Sequence, residues 1–402
     1  MNTTFNYVRE LWTSAIRGWD KFWFTPTDPA VLAMIRILGG AMLLYTHFIW
    51  TKDFDAFFGP QDPWLSASAV QAFQTGAVAP TGSPRGTGDT TPVGPIAAGR
   101  QPGLPEAARN DTLAAAVPGP VAQGPEMIEA VPAVPADDRL APAGESEPRQ
   151  PWRTFAWSWF KWTDSRTALW ALHFLSLAAF ACLLVGFKTR LAAIVAFLAT
   201  VSYVNRVPGA LFGLDQVNGM LAMYLAVGPC GAAWSLDRWL AARRAGHALA
   251  VVPSAGANIS IRLIQLHMCV IYFFAGIGKL QGVSWWDGTA MWQAFANLEY
   301  QSLDMTWMSG WPRVINLMTH VTVFWEIAFW ALVWPRLTRP LMLLIAIPLH
   351  LGIAICLGMP TFGLAMLIGC ASFLSPAFVR GFVGWFRGLL PLKAGQPQAA
   401  PA

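Results

Sequence analysis

Six residues of one apolar stretch carry much of the chemistry this sequence offers. Arg262, Gln265, Cys269, Tyr272, Gly276 and Lys279 follow one another at steps of three and four. On an α-helix those steps form a single stripe, with His267 on another face. The stripe ends in YFFAGIGKLQGVSWWDG, residues 272–288, where one lysine stops a hydrophobic run and Trp285 and Trp286 follow. Two chemistries fit that lysine. At a membrane surface Lys279 is an ammonium that snorkels among indole rings. Desolvated beside Gly276 and Gly278, its charged form is disfavoured, and a neutral amine is a general base. The two glycines permit either close helix packing or close approach of a ligand. Arg262, at the other end, snorkels to the opposite surface.

A second apolar run holds His320 and Glu326, and Thr319, Thr322 and Glu326 share one helical face. A carboxylate facing lipid is costly, so Glu326 is expected to face inward, toward Arg36, His350 or Arg262. Such a pair is either structural or catalytic. His47, His173 and His350, each inside an apolar run, read as hydrogen-bonded core, with His350 also a candidate binding residue. The stretch GLDQVNGML, 213–221, places Asp215, Gln216 and Asn218 at the start of another run. It is a polar helix start or a substrate-facing mouth. The histidines lack metal-ligand spacing, and neither a nucleophile elbow nor a phosphate loop is present. The five cysteines, Cys182, Cys230, Cys269, Cys356 and Cys370, form no C-x-x-C and read as buried thiols. Any chemistry must therefore use scattered residues that helix packing brings together.

The elements that would do so are apolar helices. Of 402 residues 55% are hydrophobic and 12% charged, against about 25% charged in soluble domains. The formal charge of +5 is spread through loops with no basic run, which points to membrane orientation rather than nucleic acid. Eight runs approach the ~20 residues that span a bilayer: 30–50, 167–187, 190–206, 216–236, 259–279, 314–334, 340–357 and 361–375. The expected fold is an all-α polytopic bundle. Basic clusters alternate to one side of it, which predicts both termini in the cytoplasm and Lys279 at the outer face. No removable signal peptide is expected.

Residues 1–29 mix aromatics and charges at helical spacing and predict an interfacial helix. Residues 30–76 hold the first span and the start of an outer loop. Residues 77–150 contain 13 prolines and no Phe, Trp or Tyr, and predict a disordered insert. The main bundle then covers 151–375, followed by a tail, 376–402, whose first part is also expected at the interface.

AGIGKL, followed by tryptophan and D-G, resembles the lysine-bearing stretch of the vitamin K-dependent γ-carboxylase family. FTPTDPAVLAMIRILGG, GFKTRLAAIVAF, GPCGAAWSLDRWL and WEIAFW are similar, in order, to segments of its bacterial relatives, the HTTM-domain proteins. The resemblance covers most of the chain outside 77–150. It implies that Lys279 is a catalytic base acting on a lipid quinol, a reduced isoprenoid quinone of the vitamin K type. Together with the polar stripe, that reading has Tyr272, Asp215 and Asn218 lining the mouth of the binding site and Trp285 and Trp286 capping it, with Glu326 a further candidate and His320 and His350 near family polar positions. The sequence departs from the family at GLDQVNG, where a family histidine is expected, and the large extramembrane domain of the carboxylases is not expected after the last span. The competing expectations are a non-catalytic scaffold or lipid-binding protein and, last, a small-solute transporter.

Overall fold

The computed structural model describes residues 2–59 and 157–389; the segment 77–150 lies outside them. Among the described residues fourteen α-helices follow in order: α1 (Asn2–Phe24), α2 (Ala30–Ile49), α3 (Phe54–Phe58), α4 (Arg166–Val185), α5 (Thr189–Arg206), α6 (Gly213–Val227), α7 (Leu236–Ala245), α8 (Ala255–Lys279), α9 (Val283–Trp286), α10 (Ala290–Ala296), α11 (Pro312–Leu332), α12 (Arg339–Cys356), α13 (Pro360–Cys370) and α14 (Pro376–Leu389). Among the described residues α2, α4, α8, α11 and α12 are long and apolar enough to cross a membrane. The helices α5, α6 and α13 pack against them in the same bundle.

The run expected at 216–236 is a shorter helix, because Gly228 and Pro229 end it after Val227. The chain then re-forms as α7, whose N-terminus is capped by Ser235 accepting from the Arg238 amide at 3.2 Å. The run at 361–375 is likewise the 11-residue helix α13 and a 3-10 turn. Beyond it the chain bends by 118°, so α14 lies across the end of the bundle instead of prolonging a span. α14 is tied there by Arg380, which donates to both oxygens of Asp28 at 2.6 and 2.8 Å.

That end, which carries the start of α2, is called the N-terminal face. Thr27 and Ser254 exchange backbone hydrogen bonds of 3.1 Å across it. Asn258 donates to the carbonyls of Phe22 and Trp23, which fastens α1 to α8. Asp237 of α7 accepts from the Lys188 and Thr189 amides and the Thr189 hydroxyl, each at 2.7 Å, and so satisfies the orphan donors that begin α5.

The core is apolar and finely packed. Ala192, Ala193, Ala196 and Ala199 are buried on one face of α5, small enough for neighbouring backbones to approach. Trp325, Tyr272, Phe329 and Phe180 fill the wider spaces. The outer surface is apolar too: Phe274, Phe324 and Leu344 are more than 60% exposed, as lipid-facing side chains are.

Candidate functional site

The Arg262–Lys279 stripe is formed as its spacing predicts. Gln265, Cys269, Tyr272 and Gly276 are buried, and α8 ends at Lys279. Gly276 faces α11 so closely that a Cβ there would lie 2.7 Å from the Ile327 side chain and 3.2 Å from Glu326 Cβ. That approach brings the two charges together. Lys279 Nζ donates to Glu326 Oε1 at 3.0 Å and lies 2.8 Å from Oε2. Oε2 is buried and off the hydrogen-bonding direction, without a partner of its own. The glutamate side chain is 8% exposed and the lysine side chain 23%.

Glu326 thus turns inward, but to Lys279 and to none of the three partners expected. Arg36 is engaged elsewhere, donating to the carbonyls of Leu183 at 3.0 Å, Leu184 at 3.2 Å and Trp234 at 2.6 Å. Arg262 donates to Gln265 at 2.9 Å and lies over the Phe22 ring at 4.6 Å. His350 sits with Tyr272, deeper along the stripe.

A short strap covers the lysine. The Trp285 ring centroid is 5.2 Å from Nζ, at cation–π range. Trp286 is exposed and donates to the Leu280 carbonyl at 2.7 Å. The strap is fastened to the first turns of α11. Thr319 donates to the Gly288 carbonyl at 3.0 Å, and Asn316 to that of Asp287 at 3.1 Å. Gly288 has φ +82°, and a Cβ there would collide with Asn316 at 1.8 Å, so only glycine fits. His320 belongs to this fastening: its ring contacts Asn316 at 2.9 Å and the Trp286 carbonyl at 3.2 Å. Gly278, unlike Gly276, packs on nothing and leaves open space beside Lys279.

Two turns deeper, the Tyr272 hydroxyl is 2.6 Å from His350 Nε2 and 3.2 Å from Cys370 Sγ. This contact joins α8, α12 and α13. His350 Nδ1 is buried without a partner.

The expected mouth residues are placed otherwise. Asp215 accepts from the Phe212 amide at 3.0 Å and caps α6. It lines a cleft between α5 and α6 that also includes His267, whereas Lys279 faces α11. Asn218 is 1% exposed, with both amide atoms unpartnered. Lys279, Glu326, Trp285, Tyr272 and His350 therefore gather along the α8 stripe, His320 and Trp286 hold the strap, and Asp215 lines the separate α5–α6 cleft. Cys370 was read only as a buried thiol. No spacing signal links it to Tyr272, since α13 meets α8 only through packing.

A second polar group, at the same end of the bundle, joins His173 to Tyr203 at 2.6 Å and to Thr51 at 2.9 Å. His47 bonds the Leu43 carbonyl at 2.8 Å. Both histidines are the hydrogen-bonded core expected of them. No group of three or more His, Cys, Asp or Glu among the described residues is arranged to hold a metal ion.

No curated protein and no solved structure matches the chain. A family model for the HTTM domain matches residues 144–378, more than half of its length. The match covers every helix that builds the Lys279–Glu326 and Tyr272–His350 contacts, and with its apolar helices the chain belongs to the HTTM-domain family of integral membrane proteins.

Proposed function

We propose that this protein is a membrane-embedded enzyme, γ-carboxylase-like, whose Lys279–Glu326 pair performs general acid–base chemistry on a lipid-soluble hydroxyl. The substrate class is a reduced isoprenoid quinone of the vitamin K type. The carrying observation is the pair itself: an accessible amine within 3.0 Å of both oxygens of a buried carboxylate, one of which has no hydrogen-bond partner. The surroundings fit such a ligand. Trp285 offers an aromatic wall and Gly278 leaves room beside the amine.

When bound, the reduced quinone supplies an oxidisable ring for reaction with oxygen. The chain's own residues handle protons. In a low-dielectric site an ammonium–carboxylate pair and an amine–carboxylic acid pair are far closer in free energy than in water. Glu326 takes the lysine proton, and the freed amine accepts one from a hydroxyl. Trp285 limits water at Nζ, and the Tyr272–His350 contact holds α8 in place against α12. The test supplies reduced menaquinone or vitamin K and oxygen to the purified protein in bilayer discs. Epoxide formation is expected, with a loss of about 100-fold or more in Lys279→Ala. No epoxide from the native protein, or an unchanged rate in the variant, overturns the proposal.

A second reading is a scaffold or lipid-binding protein in which intramembrane charges only hold helices together. Arg36, which bonds three backbone carbonyls, favours it by showing that the bundle uses a buried cation as a tie. On that reading Lys279→Met leaves function intact while Glu326→Leu impairs folding.

The N-terminal face carries the larger share of the cations, among them Arg17, Lys21, Lys188, Arg190, Arg238, Arg243, Arg244, Arg336 and Arg339. The positive-inside rule assigns that face to the cytoplasm. We propose accordingly that both termini are cytoplasmic and that the site faces the outer surface of a bacterial inner membrane. Labelling of single cysteines with a membrane-impermeant reagent tests the assignment.

A further inference from the structure

The α5–α6 cleft is separate from the Lys279 site and has its own chemistry. Its volume is about 460 Å³, within the roughly 300–1,000 Å³ that holds small ligands. Asp215 and Gln216 stand at its mouth, and Phe197, Val201 and Met223 line its walls. From Asp215 to Met223 it follows α6 for eight residues, about 12 Å at 1.5 Å per residue. Gly219 lies midway, and a Cβ built there meets nothing within 4 Å, so the wall is open where a side chain would close it.

His267 forms the inner end. It is twelve residues from either end of α8, at the middle of the span. Its Nδ1 is 3.1 Å from the Tyr224 hydroxyl, and among the described residues its Nε2 has no hydrogen-bond partner. An imidazole at that depth, facing a cleft open to the side, is costly unless a ligand brings it a hydrogen bond. A charged headgroup cannot follow it there without losing its hydration. A hydroxyl can, and it serves either tautomer, because it both donates and accepts.

We infer that the α5–α6 cleft binds a neutral, hydroxyl-bearing lipid, with its polar group at His267 and its chain along Val201 and Met223. The inference does not depend on the Lys279 chemistry, and its test uses no turnover. A long-chain alcohol carrying a diazirine and an alkyne is compared with the matching photoactivatable phosphatidylcholine, each in bilayer discs holding the whole chain. The alcohol labels the peptide containing Met220 and Met223. Loss of one hydrogen bond, near 1 kcal/mol, lowers that labelling about five-fold in His267→Phe, while His267→Asn retains most of it. Gly219→Phe and Val201→Phe close the cleft from opposite walls, and either one, if folded by its melting curve, abolishes the labelling. Phosphatidylcholine labelling is unaffected by all four variants. Equal labelling by both probes, or alcohol labelling that survives His267→Phe and a cleft-closing variant, means bulk lipid contact only and overturns the inference.

Discussion

Arg36 and Lys279 are both cations inside the bundle, at opposite ends of it, and the protein surrounds them differently. Arg36 is 0% exposed and directs its guanidinium to three backbone carbonyls, two of them at the end of α4. Those carbonyls are the orphan acceptors of a helix C-terminus, where positive charge is favoured. None of them can exchange a proton. Gly186, at φ +73°, completes the arrangement, since a Cβ there would sit 2.1 Å from Arg36 Nη1. Lys279 is partly exposed, and its partner is a titratable carboxylate whose Oε2 is met by that same amine and has no hydrogen-bond partner. The first arrangement is closed and suits a tie. The second keeps an open side and a partner able to hold a proton.

Substitutions on each side test that contrast. Arg36→Leu removes the side-chain donor from three carbonyls, of which Leu183 keeps the Gly186 amide at 3.2 Å, and is expected to destabilise by about 2–6 kcal/mol, about 1–3 for each of the two left unsatisfied. Loss of the folded band in detergent melting curves checks it. Arg36→Lys recovers little, because an ammonium lacks the planar fork. Glu326→Leu is expected to cost less, about 1–3 kcal/mol, because Lys279 can shift toward water. A melting curve close to native for Lys279→Met/Glu326→Leu would show that the charges, rather than the shape, couple α8 to α11. Gly276→Leu tests the shape and is expected to cost about 1–3 kcal/mol through overpacking on Ile327.

The smallest effect lies on the N-terminal face. The Arg380 guanidinium beside Asp28 holds that carboxyl below its ordinary value, against an opposing push from partial burial. A depressed carboxyl contributes stability that is complete above its unfolded pKa, roughly 3.9, and is lost as pH falls through the lower folded value. Native protein should therefore lose more stability than Asp28→Asn on acidification below about pH 4, by under ~1 kcal/mol. Melting temperatures across pH 3–6 read the difference.

The polar stripe on α8 was legible because a 3.6-residue period needs only the chain itself. The inward turn of Glu326 was legible because a carboxylate in lipid is costly. Its partner was not. Pairing depends on how closely α8 and α11 approach, which Gly276 decides against Ile327, and no spacing within one helix encodes that. Asp215 and Asn218 were drawn into the same site because they are polar at the right end. Asp215 instead lines the α5–α6 cleft and Asn218 is buried, because helix packing decides which side chains of α6 meet a neighbour. The short spans were legible only as apolar runs. Gly228 and Pro229 end α6 early, and the 118° bend after α13 turns α14 onto the surface.

The central claim is that Lys279 acts as a base and is more than a tie, and chemical rescue tests it most directly. Oxygenation of a reduced quinone by Lys279→Ala in bilayer discs is measured with and without added primary amines of graded basicity. The account predicts a folded, nearly inactive variant whose rate is restored by amines and rises with their basicity. A folded Lys279→Ala with native rate, or one that no amine restores at any concentration, would contradict it.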